Sequence, residues 1–107
     1  MKKLKCYQFG GTIIAHYSQK EAAEAYSNEM TASLLEAERM AKPLPDTHII
    51  RLLPEQVDRV ERGMINVTER SIFLLGTFYE VTLSWYMTHK LKRQPGYVIH
   101  TTPTMLF

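Results

Sequence analysis

Gly10-Gly11, set between two runs of strand-forming residues, restricts this chain more than any other feature. Lys3-Leu4-Lys5-Cys6-Tyr7-Gln8-Phe9 alternates roughly between polar and apolar side chains, and Thr12-Ile13-Ile14-Ala15-His16-Tyr17 is rich in β-branched and aromatic residues. Both glycines can take positive φ, as the tight two-residue hairpin turns require. The pattern predicts a β-hairpin over residues 2–17.

The next segment supplies a cover for that hairpin. Ser18-Gln19-Lys20-Glu21 fits a capping box, in which the Ser oxygen accepts from a free backbone N–H and the Glu reaches back. Glu21 and Glu24 also sit where a helix N-terminus favours negative charge. Ala23, Tyr26, Met30, Leu34, Ala37 and Ala41 recur at steps of three or four, one apolar helical face. This predicts a helix over residues 19–41, stopped by Pro43 and Pro45, with Ser27-Asn28 and Thr31 as its weak points.

Residues 47–53 read as a third strand. Pro54 suits the first position of a short helix over residues 55–62, which Gly63 ends. Residues 64–75 fit a strand or the front of a buried helix equally, because short apolar runs do not decide between them. Thr77-Phe78-Tyr79-Glu80 is a second capping-box match, so residues 77–91 read as a helix with Phe78, Val81 and Trp85 on one stripe. Pro95-Gly96 ends it, and residues 97–102 read as a last strand closed by Pro103. The sum is one α+β domain spanning residues 1–107. An antiparallel sheet of residues 2–17, 47–53 and 97–102 is covered by helices 19–41 and 77–91. The expected core is Phe9, Ile14, Tyr26, Met30, Leu34, Ile50, Leu52, Phe78, Val81 and Trp85.

Composition narrows the function classes. With 107 residues, 45% hydrophobic and 22% charged, the chain has ordinary globular usage, unlike disordered, collagen-like or disulfide-rich chains. A domain of this size buries roughly 65% of its unfolded surface, enough for a core without staples. The single cysteine, Cys6, allows no intrachain disulfide and suits a reducing compartment. The longest apolar run, residues 72–76, falls far below the about 20 residues of a membrane span. No apolar signal-peptide core follows Lys2, Lys3 and Lys5. The expectation is a cytoplasmic protein without membrane partners.

Catalytic patterns do not emerge. His16, His48, His89 and His100 stand at no zinc-binding spacing. Cys6 reads as a small buried hydrophobe. The sequence has no G-x-S-x-G, G-x-x-x-x-G-K or G-x-G-x-x-G run, and Gly10-Gly11 is explained by its turn. The expectation is a binding protein without enzymatic activity, metal or cofactor. Six Met and six Tyr supply adaptable and interface-prone side chains. The tail Met105-Leu106-Phe107 either docks on its own domain or forms the subunit contact of a homodimer.

The net charge of +2 is unevenly spread. Residues 19–41 carry Glu21, Glu24, Glu29, Glu36 and Glu38 against Lys20 and Arg39, a net −3. These five carboxylates are the candidate partner-binding residues. Lys2, Lys3, Lys5, Lys90, Lys92 and Arg93 form two basic clusters, the candidate nucleic-acid contacts of an alternative reading. Tyr7, Tyr17 and Tyr97 are candidate stacking platforms beside them. Both clusters also admit structural explanations, one as cations at a helix C-terminus and the other as protection of an edge strand. A pI near 8.7 falls short of a dedicated nucleic-acid binder.

The opening KKLKCYQFGGTIIAHYSQKEAAEAYSNE resembles the start of small phage and prophage accessory proteins, a strand pair followed by a Ser- or Asp-capped helix. GTFYEVTLSWYMTH and QPGYVIHTT resemble the closing helix and strand of the same kind of chain. The resemblance covers the two ends, and residues between them have no counterpart. It implies a mobile-element protein that binds and blocks a host protein or nucleoprotein complex, as anti-CRISPR and other anti-defence inhibitors do. Such proteins share no catalytic motif, so no residue role is carried over. The expected mechanism is occlusion, with the acidic residues competing for a basic surface of the target.

Overall fold

The structure is a computed structural model that describes residues 2–100. Those residues form an α+β fold of seven strands in two antiparallel sheets, with four α-helices. The hairpin lies where the glycine pair predicts it. Strands β1 (Lys5–Phe9) and β2 (Thr12–His16) pair with Tyr7 opposite Ile14, and Gly10 takes φ 62° in the turn. Strand β3 (Lys42–Leu44) pairs with β1, and β7 (Gly96–Ile99) pairs with β2.

The hairpin's sheet is buried on both faces, so β2 reads Thr-Ile-Ile-Ala with no exposed position among them. On one face Tyr7, Phe9 and Ile14 meet Ala22, Ala23 and Tyr26 of α1 (Gln19–Met30) and Ala37 of α2 (Leu34–Met40). Phe9 stacks on Tyr26 with ring centroids 4.7 Å apart. On the other face Cys6, Ile13 and Ala15 meet Leu83, Trp85 and Met87 of α4 (Leu83–His89), and the second sheet joins that cluster through Ile50, Leu52, Tyr79 and Val81. The Cys6 thiol contacts the Met87 sulfur at 3.6 Å, which ties α4 to β1.

Residues 47–53 do not join the hairpin. Strand β4 (Ile49–Leu52) pairs with β6 (Gly76–Thr82), which also pairs with β5 (Thr68–Ile72), giving a separate sheet ordered β4-β6-β5. The helix expected over residues 77–91 is therefore strand as far as Thr82. Tyr79 and Val81 are buried while their neighbours are not, a period-two pattern that aromatic and β-branched residues favour. The true helix cap is Thr82, whose Oγ1 accepts from the Trp85 N–H at 3.2 Å. Phe78 is consequently half-buried and lies under the Arg51 guanidinium at 4.8 Å. Residues 64–75, undecided in sequence, become a turn segment over 64–67, then β5 and the turn into β6.

The helix expected over residues 19–41 is two helices. Thr31 ends α1 in the left-handed region at φ 54°, and Ser33 caps α2 by accepting from the Glu36 N–H. Ser27 donates to the Ala32 carbonyl across the break. Gln19 Nε2 reaches the Glu38 carbonyl at 3.5 Å, so α2 folds back along α1. The shared apolar stripe is thereby divided: Leu34 is exposed and Met30 only half-buried. Pro43 does more than stop a helix, since it sits in edge strand β3, where a missing N–H is tolerated. Residues 55–62 divide into a 3-10 turn, Pro54–Gln56, and α3 (Arg59–Arg62), which Asp58 and Glu61 cap reciprocally. Of the last expected strand, residues 101–102 lie outside the described residues, as does the tail Met105-Leu106-Phe107.

Two leucines separate the observed architecture from the expected one by measurement. Leu83, fully buried between the sheets, should cost about 3 kcal/mol when changed to Ala, whereas Leu34→Ala should stay within about 0.5 kcal/mol. Urea unfolding of both variants checks this, and equal losses would restore the single long helix.

Candidate binding surfaces

The one thiol is unsuited to nucleophilic chemistry. Cys6 is buried, and burial, helped by the nearby Asp46 carboxylate, pushes its pKa up to about 12. Among the described residues no three His, Cys, Asp or Glu side chains converge to hold a metal. His16 Nδ1 accepts from the Tyr17 N–H at 2.9 Å and lies 3.4 Å from the Glu21 carboxylate, so the ring is held by its own neighbours.

The five acidic candidates are distributed over α1 and α2 and do not lie along one helix. Glu21 serves its own cap, taking a 3.0 Å bond from Ser18 Oγ. Glu29 lies 3.4 Å from His100 Nε2. Glu24, Glu29 and Glu36 are exposed and Glu38 is half-buried. Glu36 stands in the first turn of α2, where the helix dipole alone favours it.

Three members of the two basic clusters, nearly ninety residues apart in sequence, come together: Lys2 and Lys3 from one and Arg93 from the other. Lys2, Lys3, Leu4, Tyr17 and Arg93 line one open groove of about 500 Å³. Pairing of β1 with β2 brings residues 2–4 beside Tyr17, and pairing of β7 with β2 brings the turn after α4 to the same end. Lys2 Nζ stands 6.0 Å from the Tyr17 ring centroid. Lys3 lies 3.6 Å from Asp46, but both are well exposed, and such a pair is worth about 0–1 kcal/mol. Lys92 and Arg93 both hold left-handed backbone, at φ 54° and 63°. Each non-glycine residue there costs roughly 1–2 kcal/mol. The Arg93 N–H bond to the Met87 carbonyl, at 2.8 Å, holds the turn in place.

Lys5 and Lys92 are exposed but do not line the groove. Lys90 is committed elsewhere: its Nζ donates to the buried Glu61 carboxylate at 2.5 Å, on the oxygen that also accepts from the Asp58 N–H. That bond joins the end of α4 to α3. Tyr7 is buried and Tyr97 half-buried, so of the three tyrosines singled out in sequence only Tyr17 borders the groove.

The most conspicuous surface has no marker in the sequence pattern. Strands β5 and β6 form a hairpin whose tip is Ile72-Phe73-Leu74-Leu75. Phe73, Leu74 and Leu75 are 89%, 88% and 79% exposed. The tip turns through Leu74 at φ 72° and Gly76 at φ 92°, closed by the Leu75 N–H to the Ile72 carbonyl. All five β5 residues are exposed and the strand is a sheet edge, with Arg70 paired to Glu80 at 2.6 Å. The nearest signal is Gly76, which allows a turn directly after the apolar run. Among the described residues no helix is long and apolar enough to cross a membrane.

Set against known protein families, curated proteins and solved structures, the chain matches none.

The Lys90–Glu61 bond gives a direct check on which cations are structural. Lys90→Ala leaves a buried carboxylate with only a backbone donor, and should cost about 1–3 kcal/mol. The loss should persist in high salt, because a buried pair is weakly screened. A Tm equal to that of the parent would return Lys90 to the exposed basic surface.

Proposed function

We propose that this protein is a non-catalytic binding protein that acts by occlusion, seating the β5–β6 hairpin tip in an apolar pocket of a protein partner. The observation that carries the reading is the run of exposed side chains at residues 72–75 on a tight, projecting turn. Large apolar side chains left together in water mark interaction sites in folded proteins. Burying one such side chain is worth roughly 1.5–3 kcal/mol, so three supply the central anchors of an ordinary interface. Among the described residues β5 is an edge strand, and its outer backbone groups lie beside those anchors, where a partner strand can bond.

The resemblance of the opening residues 2–29 to phage accessory inhibitors, a strand pair followed by a Ser-capped helix, supports a host protein or nucleoprotein complex as the partner. The exposed carboxylates Glu24, Glu29 and Glu36 lie on the helical layer, and in this reading they steer encounter with a basic target surface.

Phe73→Ser with Leu74→Asn tests the reading. These side chains are almost wholly in water, so the Tm should change by no more than about 2 °C. Partner enrichment in a quantitative pull-down from bacterial lysate should fall at least tenfold. A partner retained at full strength by this variant would contradict the proposal. So would a parent protein that is dimeric by sedimentation and a variant that is monomeric, since the tip would then be a self-contact.

A further inference from the structure

We propose that the groove between Lys2, Lys3, Tyr17 and Arg93 is a binding site for single-stranded nucleic acid, separate from the hairpin tip. Its charge comes from three cations, and among the described residues no carboxylate lines it. Asp46 reaches Lys3 through an exposed contact that an incoming phosphate displaces. Phosphodiester groups are the anions that three spaced cations match, because they repeat along a chain.

Tyr17 selects nucleic acid over other polyanions. It borders the groove half-buried, directly after β2, with its ring roughly perpendicular to that of His16 and the long, flexible Lys2 side chain reaching over its face. A base that stacks there replaces Lys2 over the ring and frees that cation for a phosphate. A base inside a duplex cannot reach the ring, so the single strand is the ligand. The groove's volume of about 500 Å³ suits a short stretch of strand and not a whole duplex face.

Arg93 shows why the site is more than a chance gathering of charge. It lines the groove from the turn after α4, which holds two consecutive residues in left-handed backbone. Glycine at either position would relieve that conformation, yet the chain carries Lys92 and Arg93 there. The strained pair therefore makes function and stability separable: Arg93→Gly removes a ligand-facing cation while easing the backbone.

The test is fluorescence anisotropy with a labelled 12-nucleotide dT strand, using the full chain. Binding should weaken about 20-fold from 50 to 200 mM salt, as release from three phosphate contacts predicts. Arg93→Gly should lose at least fivefold in affinity with a Tm at or above the parent's, and Lys92→Gly should change affinity less than twofold. Tyr17→Phe should keep binding and Tyr17→Leu should lose it. Absence of binding at 50 mM salt would overturn the proposal. Equal affinity of the Arg93→Gly variant would overturn it too. Competition by heparin or by a DNA duplex as effective as by the unlabelled strand would reduce the site to general polyanion attraction and reject base stacking.

Discussion

Everything in this structure depends on burying the β1–β2 hairpin's sheet on both faces at once. Ile14 and Phe9 turn to the α1–α2 layer, while Cys6, Ile13 and Ala15 turn to α4 and the second sheet. A one-residue slip of β2 would exchange Ile13 and Ile14 between layers of different shape, so the register is held from both sides. The small residues Ala15, Ala22, Ala23 and Ala37 let those layers approach closely, and all four are fully buried. The contact of Cys6 with Met87 is the same constraint seen at one point, and it leaves the thiol structural.

With the centre so fully used, recognition is left to the periphery. The β5–β6 hairpin reaches away from the core, which holds it through Tyr79 and Val81 of β6, whereas β5 buries nothing of its own. The basic groove lies at the end of the hairpin's sheet, where three chain segments arrive because strand pairing brings them there. Lys90 shows the difference between the two uses of a cation. Its bond to Glu61 fastens α4 to α3, and three residues later Arg93 is turned toward solvent by strained backbone.

The parts of this architecture that were legible in sequence rest on local chemistry. Gly10-Gly11 and the Ser18 cap specify their elements within a few residues, and both lie where predicted. Thr31 carried the signal for a helix break, but the apolar stripe running past it outweighed one poor helix former. At Thr77 the capping-box pattern matched by coincidence; the period-two burial of Tyr79 and Val81 decided for strand, and only pairing with β4 and β5 made that strand stable. The second sheet was illegible for the same reason, since nothing in residues 47–53 states which strand they join. The convergence of Lys2, Lys3 and Arg93 is a product of topology. The hairpin tip is harder still, because Ile72-Phe73-Leu74-Leu75 reads identically whether a fold buries it or projects it.

Amide hydrogen exchange followed by NMR tests the central claim, a doubly buried sheet with recognition surfaces left open. In the free protein the amides of Ile13, Ile14 and Ala15, flanked by β1 and β7, should exchange only through global unfolding, while those of Phe73 and Leu74 exchange at close to unprotected rates. Protection of Phe73 and Leu74 equal to that of Ile14 would mean that the tip is covered in solution and would contradict the account. Rapid exchange along β2 would contradict it at its foundation.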